Sequence, residues 1–193
     1  MSKDIVVIGG GAAGLMAAIT AARCGAVVTL LEPNERLGKK VNITGKGRCN
    51  VTNDCDRDTL LGNIPGNGRF LYSALTRFSP RDAMAFFEKL GVPLKVERGS
   101  RVFPVSDSAF DITNALEREL KRLRVRWVRD RAVDIVTESG AVRAVTGEKG
   151  TYPAEAVIVA TGGFGGSVFR PSGIRTIPAV RFPIYLLPKP LQK

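Results

Sequence analysis

Three glycines near the amino terminus have a spacing that suits the binding of phosphate groups. Gly9, Gly11 and Gly14 form the pattern G-x-G-x-x-G. In that pattern the first glycine allows a tight turn, the second lets the backbone approach a pyrophosphate, and the third lets a helix pack closely on a strand. The helix whose first residues are Ala12 and Ala13 would then point unpaired N–H groups at the phosphates. The spacing predicts a dinucleotide site, with an ordinary glycine turn as the alternative.

The elements around these glycines are predicted from apolar runs. Ile5–Ile8 and Val27–Leu31 are continuous apolar runs typical of buried parallel strands, and Ala12–Cys24 is predicted to be the helix between them. This β-α-β unit of about 30 residues predicts an α/β, Rossmann-like fold with a mainly parallel sheet. Glu32 follows the second strand, 18 residues after Gly14. A carboxylate there can accept hydrogen bonds from ribose hydroxyls and disfavours a 2′-phosphate, hence NADP, at this site.

Two later segments also contain residues suited to an anionic ligand. Thr44–Asn53 combines glycines, a lysine, an arginine and amides, which can bind a polyanion; a mobile surface loop is the alternative. Thr161, Gly162 and Gly163 follow the predicted strand Ala156–Ala160. Ligands of open α/β sheets bind beyond the carboxyl ends of the strands, so this glycine pair would permit close approach of a cofactor. A plain turn is an equally good interpretation.

The remaining segments predict shorter elements. Pro33–Phe70 is predicted to be a long connection, which inside a domain is usually functional or disordered. Periodicity and capping residues predict three helices, at Leu71–Phe78, at Ser79–Leu90, and from Ser106 or Asp107 to Leu123. Alternation and turn residues predict a strand pair at Leu94–Val96 and Arg101–Phe103, and a small antiparallel excursion at Val125–Val145.

The composition excludes several kinds of chemistry. The 193 residues contain no histidine, which excludes Ser-His-Asp and Cys-His catalysis and every His-ligated metal site. The three cysteines form no C-x-x-C pair, so we expect no metal site. No residue can be singled out as a catalytic acid or base. The apolar run Ile5–Ala22 is interrupted by glycines, so we expect a cytoplasmic chain with no membrane partner.

The chain is strongly basic, with a formal net charge of +11. The densest basic stretch is Arg118–Arg131, which we interpret as a solvated helix face running into a strand. Nucleic-acid binding is the alternative interpretation of this charge. Since no RNP, KH or zinc-finger pattern accompanies it, we expect no nucleic-acid partner.

The Gly9–Gly14 turn, the Thr44–Asn53 segment and Ala160–Gly163 together are similar to the motifs of a known family. The most specific part runs from Gly38–Lys40 through Thr44–Asn53, and Arg101–Ser106 also matches the family pattern. They resemble bacterial NAD(P)/FAD-dependent oxidoreductases of the aminoacetone-oxidase-like and bile-acid-reductase-like type, which have a glutathione-reductase-like FAD fold. The resemblance extends from Ile5 to about Gly163.

The resemblance implies a non-covalent FAD and hydride transfer between FAD and a small-molecule substrate or NAD(P)H. It implies that the cofactor is contacted by Gly9, Gly11, Ala12, Ala13, Gly14, Glu32, Lys40, Gly47, Arg48, Cys49, Asn50, Val133, Thr161, Gly162 and Gly163. In this set Glu32 would bind the adenosine ribose and the Ala132–Val133 backbone the adenine. Basic neighbours could lower the pKa of Cys49 and give a thiol near the flavin; a small residue in a tight loop is the favoured interpretation.

The chain also departs from the family. Its members are about twice as long and continue into a substrate domain and a C-terminal segment that closes over the flavin. We therefore expect residues 1–163 to be an incomplete FAD-binding domain and 164–193 an irregular Pro/Arg-rich tail, as in a truncated protein. A face exposed by truncation would favour self-association. A nucleotide-binding module without turnover is the alternative function.

Overall fold

The computed structural model describes residues 2–162, which form two compact units. The first unit contains residues 2–41 and 116–162, and the second contains Asn42–Ala115. The strands are β1 Asp4–Ile8, β2 Val27–Leu31, β3 Thr52–Asn53, β4 Leu94–Glu97, β5 Arg101–Pro104, β6 Arg126–Val128, β7 Ala132–Glu138, β8 Ala141–Gly147, β9 Thr151–Pro153 and β10 Ala156–Val159. The α-helices are α1 Ala12–Arg23, α2 Arg57–Gly62, α3 Tyr72–Arg77, α4 Pro80–Lys89 and α5 Ala109–Arg122. Two 3₁₀ segments span Val41–Gly47 and Gly68–Leu71.

A four-stranded parallel sheet is the centre of the first unit. Its strand order is β10-β1-β2-β6, and all three pairings are parallel. Val6, Val7 and Leu30 are fully buried in it, as are Leu15 and Ile19 of α1. The predicted Rossmann-like fold with a mainly parallel sheet is confirmed. No helix within residues 2–162 is both long and apolar enough to cross a membrane.

A three-stranded antiparallel sheet, β7-β8-β9, packs on the same unit. Ile135, Val145 and Tyr152 form one apolar cluster with Ile8 and Leu31 of the parallel sheet. The antiparallel excursion is therefore present, but its predicted start at Val125 is wrong. The strand β6 pairs in parallel with β2 and not with an antiparallel neighbour. The edge of β2 that faces away from β1 is open, and a strand of three residues can pair there as well as in a hairpin.

The second unit contains a small antiparallel sheet, β3-β5-β4. The predicted pairing of Leu94–Val96 with Arg101–Phe103 is confirmed. Helix α4 begins with a capping box, in which Ser79 and Asp82 exchange hydrogen bonds between side chains and backbone. The prediction that Pro33–Phe70 lacks regular structure is wrong, since it contains β3, α2 and two 3₁₀ segments; these elements are too short to show a periodic pattern.

Candidate nucleotide-binding site

The glycine turn after β1 is packed so tightly that two of its positions have no room for a side chain. Gly9 has a φ of +106°, and a Cβ built on it would lie 2.5 Å from the carbonyl oxygen of Ala160. A Cβ on Gly14 would overlap the carbonyl oxygen of Gly9. These contacts hold β1, α1 and the end of β10 together at the carboxyl edge of the parallel sheet, where α/β folds bind ligands.

Gly11 differs from its two neighbours in the motif. A Cβ built on Gly11 would meet no atom within 4 Å, so the space in front of this residue is open. Gly11 is also the N-cap of α1, and it provides no side-chain hydrogen bond to the first turn, which contains no acidic residue. Ala12 and Ala13, the first helical residues, are exposed. The first-turn N–H groups and the positive end of the helix dipole therefore suit an anion such as a pyrophosphate.

Glu32 at the end of β2 is held against the glycine turn. Its side chain is buried, and its Oε2 accepts a hydrogen bond of 2.7 Å from the Gly10 N–H. Its Oε1 accepts hydrogen bonds from the backbone and side-chain nitrogens of Asn34, at 2.9 and 2.5 Å. Each carboxylate oxygen has two lone pairs, so the group retains capacity for a ribose hydroxyl. Asn34 is a residue that sequence reasoning missed.

Lys40 and Gly162 lie close together at the same edge of the sheet. The Nζ of Lys40 is 3.7 Å from the place that a Cβ on Gly162 would take. The Gly38 N–H donates to the Gly10 carbonyl at 2.8 Å, which ties the segment before Lys40 to the glycine turn. Thr161 and Gly162 are exposed, whereas Gly163 lies outside the described residues. The structure thus places a cation beside the Gly9–Gly14 turn.

Val133 lies at an irregularity of β7. Ala132 pairs with Gly147 and Asp134 with Thr146, so the pairing passes over Val133 as in a β-bulge. A bulged residue has backbone groups outside the ladder, and Val133 is exposed. This geometry fits a segment whose backbone meets a ligand.

Asp130, which sequence reasoning also missed, organises the turns around this bulge. Its buried carboxylate accepts hydrogen bonds from the Tyr152 hydroxyl at 2.7 Å, the Arg131 N–H at 2.7 Å and the Lys149 N–H at 3.1 Å. Burial alone would raise the pKa of Asp130, but these donors outweigh it and lower that pKa. Burial and the Asp130 charge together raise the pKa of Tyr152. The only sequence signal was one acid inside a basic run.

The other predicted site residues are on one loop of the second unit. Arg48 does not have a free guanidinium: its Nε donates to Asp107 at 2.7 Å, and its Nη2 pairs with Glu97. The guanidinium carbon also lies 4.2 Å from the centre of the Phe103 ring. Hydrogen bonds with Arg48 lower the pKa of Glu97, and those with Lys95 and Arg48 lower that of Asp107. The arrangement anchors the loop to the small sheet.

Gly47, Cys49 and Asn50 complete this loop. Gly47 has a φ of +86° and Cys49 a φ of +58°. The Asn50 amide, oriented to satisfy its hydrogen bonds, donates to the carbonyls of Thr52 and Val102. Cys49 is buried, and burial raises its pKa, with a hydrogen bond from Thr44 opposing the effect. Of the two interpretations of Cys49, the alternative in which basic neighbours lower its pKa is wrong, because burial of the thiol raises that pKa.

Comparison with protein families decides the lineage. The model of the HI0933-like protein Rossmann domain matches residues 3–169. The chain belongs to the HI0933-like Rossmann domain family. This confirms the resemblance to FAD-dependent oxidoreductases that the sequence motifs carried.

Two curated relatives are themselves enzymes. The 3-dehydro-bile acid delta(4,6)-reductase of Clostridium scindens is 39% identical over 165 residues, which are 82% of this chain and 39% of that protein. The ribosomal RNA dihydrouridine synthase of Escherichia coli is 30% identical over 167 residues, which are 83% of this chain and 39% of that protein. This HI0933-like chain thus spans about two fifths of the length of these relatives.

One solved structure illustrates the shared fold. The 3-ketosteroid-delta4-(5alpha)-dehydrogenase of Rhodococcus jostii RHA1 aligns with 84% of this chain and 46% of its own, at a TM-score of 0.58 and 19% sequence identity. At this identity the likeness concerns the fold of the HI0933-like domain.

Proposed function

We propose that this chain is the FAD-binding part of an oxidoreductase that adds a hydride to carbon–carbon double bonds conjugated to a carbonyl. The observation that carries the cofactor assignment is the carboxyl edge of the parallel sheet. There the open space at Gly11 faces an uncapped helix start, and the buried Glu32 carboxylate is fixed to the adjoining Gly10 N–H. Both features match what a dinucleotide needs, namely donors for its pyrophosphate and an acceptor for its ribose.

Different residues of the first unit would bind different parts of FAD. Gly11 and the first turn of α1 would hold the pyrophosphate, Glu32 would accept from the ribose, and Lys40 would place a positive charge near the phosphates. The bulged backbone at Val133 would meet the adenine. FAD, when bound, supplies the capacity to accept and deliver a hydride, while the protein supplies binding, orientation and electrostatics. We propose NAD(P)H as the electron donor, bound outside the Glu32 site.

The reaction class rests on what the names of the two curated relatives share. By its name, the first relative reduces the delta-4 and delta-6 double bonds of a bile acid that carries a 3-oxo group, with which these bonds are conjugated. By its name, the second makes dihydrouridine in ribosomal RNA, that is, uridine whose carbonyl-conjugated ring double bond is reduced. In both reductions a hydride and a proton would add across a carbon–carbon double bond polarised by a carbonyl, with the hydride supplied by NAD(P)H through the flavin and the proton supplied by water. We propose the same step for the protein to which this chain belongs, with a small conjugated ketone as substrate; a uracil base is the second candidate, because two relatives modify ribosomal RNA.

A single-methyl substitution tests the cofactor site. Gly11→Ala adds a methyl group that meets no protein atom within 4 Å, so the variant should fold like wild type but obstruct the pyrophosphate. We expect at least a tenfold loss of FAD affinity by isothermal titration. A tenfold loss corresponds to about 1.4 kcal/mol. The added methyl group should displace the phosphates and cost at least one of their hydrogen bonds, which is worth about that much. Gly62→Ala is the matched control, because a Cβ at Gly62 also meets no atom within 4 Å and lies far along the chain in α2.

One result would contradict the cofactor assignment, and another would contradict the oxidoreductase function. Equal FAD affinities for Gly11→Ala and Gly62→Ala would place the cofactor elsewhere. If FAD binds and Gly11→Ala abolishes binding, but NADH and NADPH fail to bleach the bound flavin anaerobically, the chain is a nucleotide-binding module without turnover of its own.

A further inference from the structure

A basic surface on the first unit lies where α5 ends and β6 begins. It consists of Arg118, Lys121 and Arg124, all exposed. Arg118 and Lys121 are one helical turn apart, about 6 Å, and the Arg124 N–H donates to the Lys121 carbonyl at 3.0 Å. We call these three residues the basic turn.

Within residues 2–162 the basic turn forms no ion pair, whereas several nearby arginines do. Arg122 and Arg23 share the buried Glu119, Arg129 pairs with Glu35, and Arg131 pairs with Glu148. Within residues 2–162, Arg118, Lys121 and Arg124 form no ion pair. Their charge is therefore not neutralised by an acidic side chain of the described residues.

Arg124 occupies a position where glycine is normally found. Helix α5 ends in a Schellman motif, in which the Val125 N–H donates to the Leu120 carbonyl at 2.9 Å and the Arg124 N–H donates to the Lys121 carbonyl. Arg124 is the left-handed residue of this motif, with a φ of +56°. An arginine there is less favourable for folding than glycine, and Lys121 and Arg122 already complement the helix dipole. The stability of the helix end does not explain this side chain.

An exposed aromatic residue lies next to the basic turn. Trp127 is the only tryptophan in the chain, is 38% exposed, and follows Arg124 by three residues, so the two Cα atoms are at most about 11 Å apart. It lies on β6, which ends the sheet order and pairs only with β2 among the described strands. A tryptophan beside free cations is the combination with which proteins bind single-stranded nucleic acid: cations contact phosphates and the ring stacks on a base.

We propose that Arg118, Lys121, Arg124 and Trp127 form a docking surface for single-stranded RNA. The expectation of no nucleic-acid partner rested on the absence of known RNA-binding motifs, and a cationic turn with one stacking residue needs no such motif. The surface lies at the amino end of β6, whereas the glycine turn lies at the carboxyl end of β1 in the same parallel sheet. It therefore does not depend on the proposed function, and FAD affinity tests the two independently.

The experiment uses the full 193-residue chain and a fluorescein-labelled oligouridylate of 12 nucleotides. Anisotropy gives the affinity, and unlabelled RNA quenches the emission of the sole tryptophan if a base stacks on it. Three phosphate contacts to a single strand predict a slope of log K against log salt of about −2. Arg124→Gly should weaken binding about fivefold at 0.1 M salt and reduce the slope by about 0.7, while the Tm stays the same or rises. Trp127→Phe should weaken binding about tenfold or less, because phenylalanine still stacks.

Arg98→Gln is the matched control, because Arg98 is an exposed cation of the second unit whose side chain forms no ion pair within the described residues. It should leave the RNA affinity within twofold of wild type. The proposal is overturned if Arg98→Gln weakens binding as much as Arg124→Gly does, or if no binding is seen at 0.05 M salt. It is also overturned if phosphatidylglycerol vesicles bind as tightly and shift the Trp127 emission to the blue, which would identify an anionic membrane as the occupant.

Discussion

Gly14 lies so close to the carbonyl oxygen of Gly9 that a Cβ at residue 14 would overlap this oxygen. The contact is between helix α1 and the turn that precedes it, and it fixes the distance between α1 and β1. Because Gly9 is in turn packed on the Ala160 carbonyl, neither backbone segment can move away easily.

Gly14→Ala should therefore destabilise the fold, in contrast to Gly11→Ala. We expect a loss of about 2–4 kcal/mol in the free energy of unfolding. The overlap is with backbone atoms, which cannot easily move aside, so its cost exceeds the gain of about 1 kcal/mol in helix propensity from glycine to alanine. Urea denaturation of Gly14→Ala, Gly11→Ala and wild type measures it. Equal stability of the two alanine variants would show that the turn can relax.

Asp130→Asn should destabilise the first unit and weaken cofactor binding together. An asparagine keeps one acceptor but directs an NH₂ group at the hydroxyl or N–H donors that now face Asp130, which costs about 2–3 kcal/mol. The bulge at Val133 would lose its support. Tyr152→Phe is the control, because it removes a single donor and should cost only about 1 kcal/mol. Urea denaturation gives the stabilities and isothermal titration gives the FAD affinities; an unchanged FAD affinity in Asp130→Asn would separate the bulge from the site.

Arg48→Met should change how the second unit responds to acid. The pairs with Arg48 lower the pKa values of Glu97 and Asp107, so their stabilising contribution is complete above the ordinary carboxylate range and is lost as pH falls through the lowered values. In Arg48→Met both pKa values should rise, and the Tm should fall at pH 7 but converge with that of wild type in acid. NMR titration of the two carboxylates and Tm measurements between pH 7 and pH 3 test this. Arg101→Met, which also removes a cation near the Phe103 ring but no carboxylate pair, is the control.

Glu119→Gln should destabilise the first unit at pH 7 and much less in acid. Hydrogen bonds from Arg122 chiefly, and from Arg23, hold the pKa of the buried Glu119 at about 2, below its ordinary value of 4.5. The contribution is therefore complete above pH 4.5 and is lost as pH falls through about 2. We expect a deficit of about 2 kcal/mol at pH 7 that shrinks to less than half at pH 3. Urea titrations at the two pH values give the difference; a deficit independent of pH would mean that packing, and not charge, holds Glu119. Glu117→Gln, in a half-exposed neighbour, should stay within about 0.5 kcal/mol of wild type.

The sequence was sufficient for the β-α-β unit because each of its elements has a local signal. The apolar runs of β1 and β2 and the glycines between them define strand, turn and helix without reference to distant residues. The pairing of β6 has no such signal, since three residues can join either β2 or a hairpin, and only the free edge of β2 decides between them.

Site residues followed the same rule. The position of Glu32 beside the glycine turn could be predicted, because this residue directly follows β2 in the chain. The partners of Arg48 were not, because Glu97 and Asp107 are brought to it by the β4–β5 hairpin and the turn after it, 49 and 59 residues along the chain. Asp130 was missed for a related reason. Its donors Lys149 and Tyr152 follow the β7–β8 hairpin, about 20 residues further along the chain, and only the folded hairpin brings them to Asp130.

The place of β10 beside β1 has a consequence for synthesis on the ribosome. The pairing of Val6 with Val157 joins positions about 150 residues apart, and the Gly9 turn packs on the residue that follows β10. At about 5–20 residues per second, β1 emerges some 8–30 s before its neighbour. During that time the edge of β1 that later pairs with β10 is unpaired in the nascent chain, although Val6 and Val7 of this strand are fully buried in the folded unit. Protection of the nascent chain by chaperones therefore matters most in this interval.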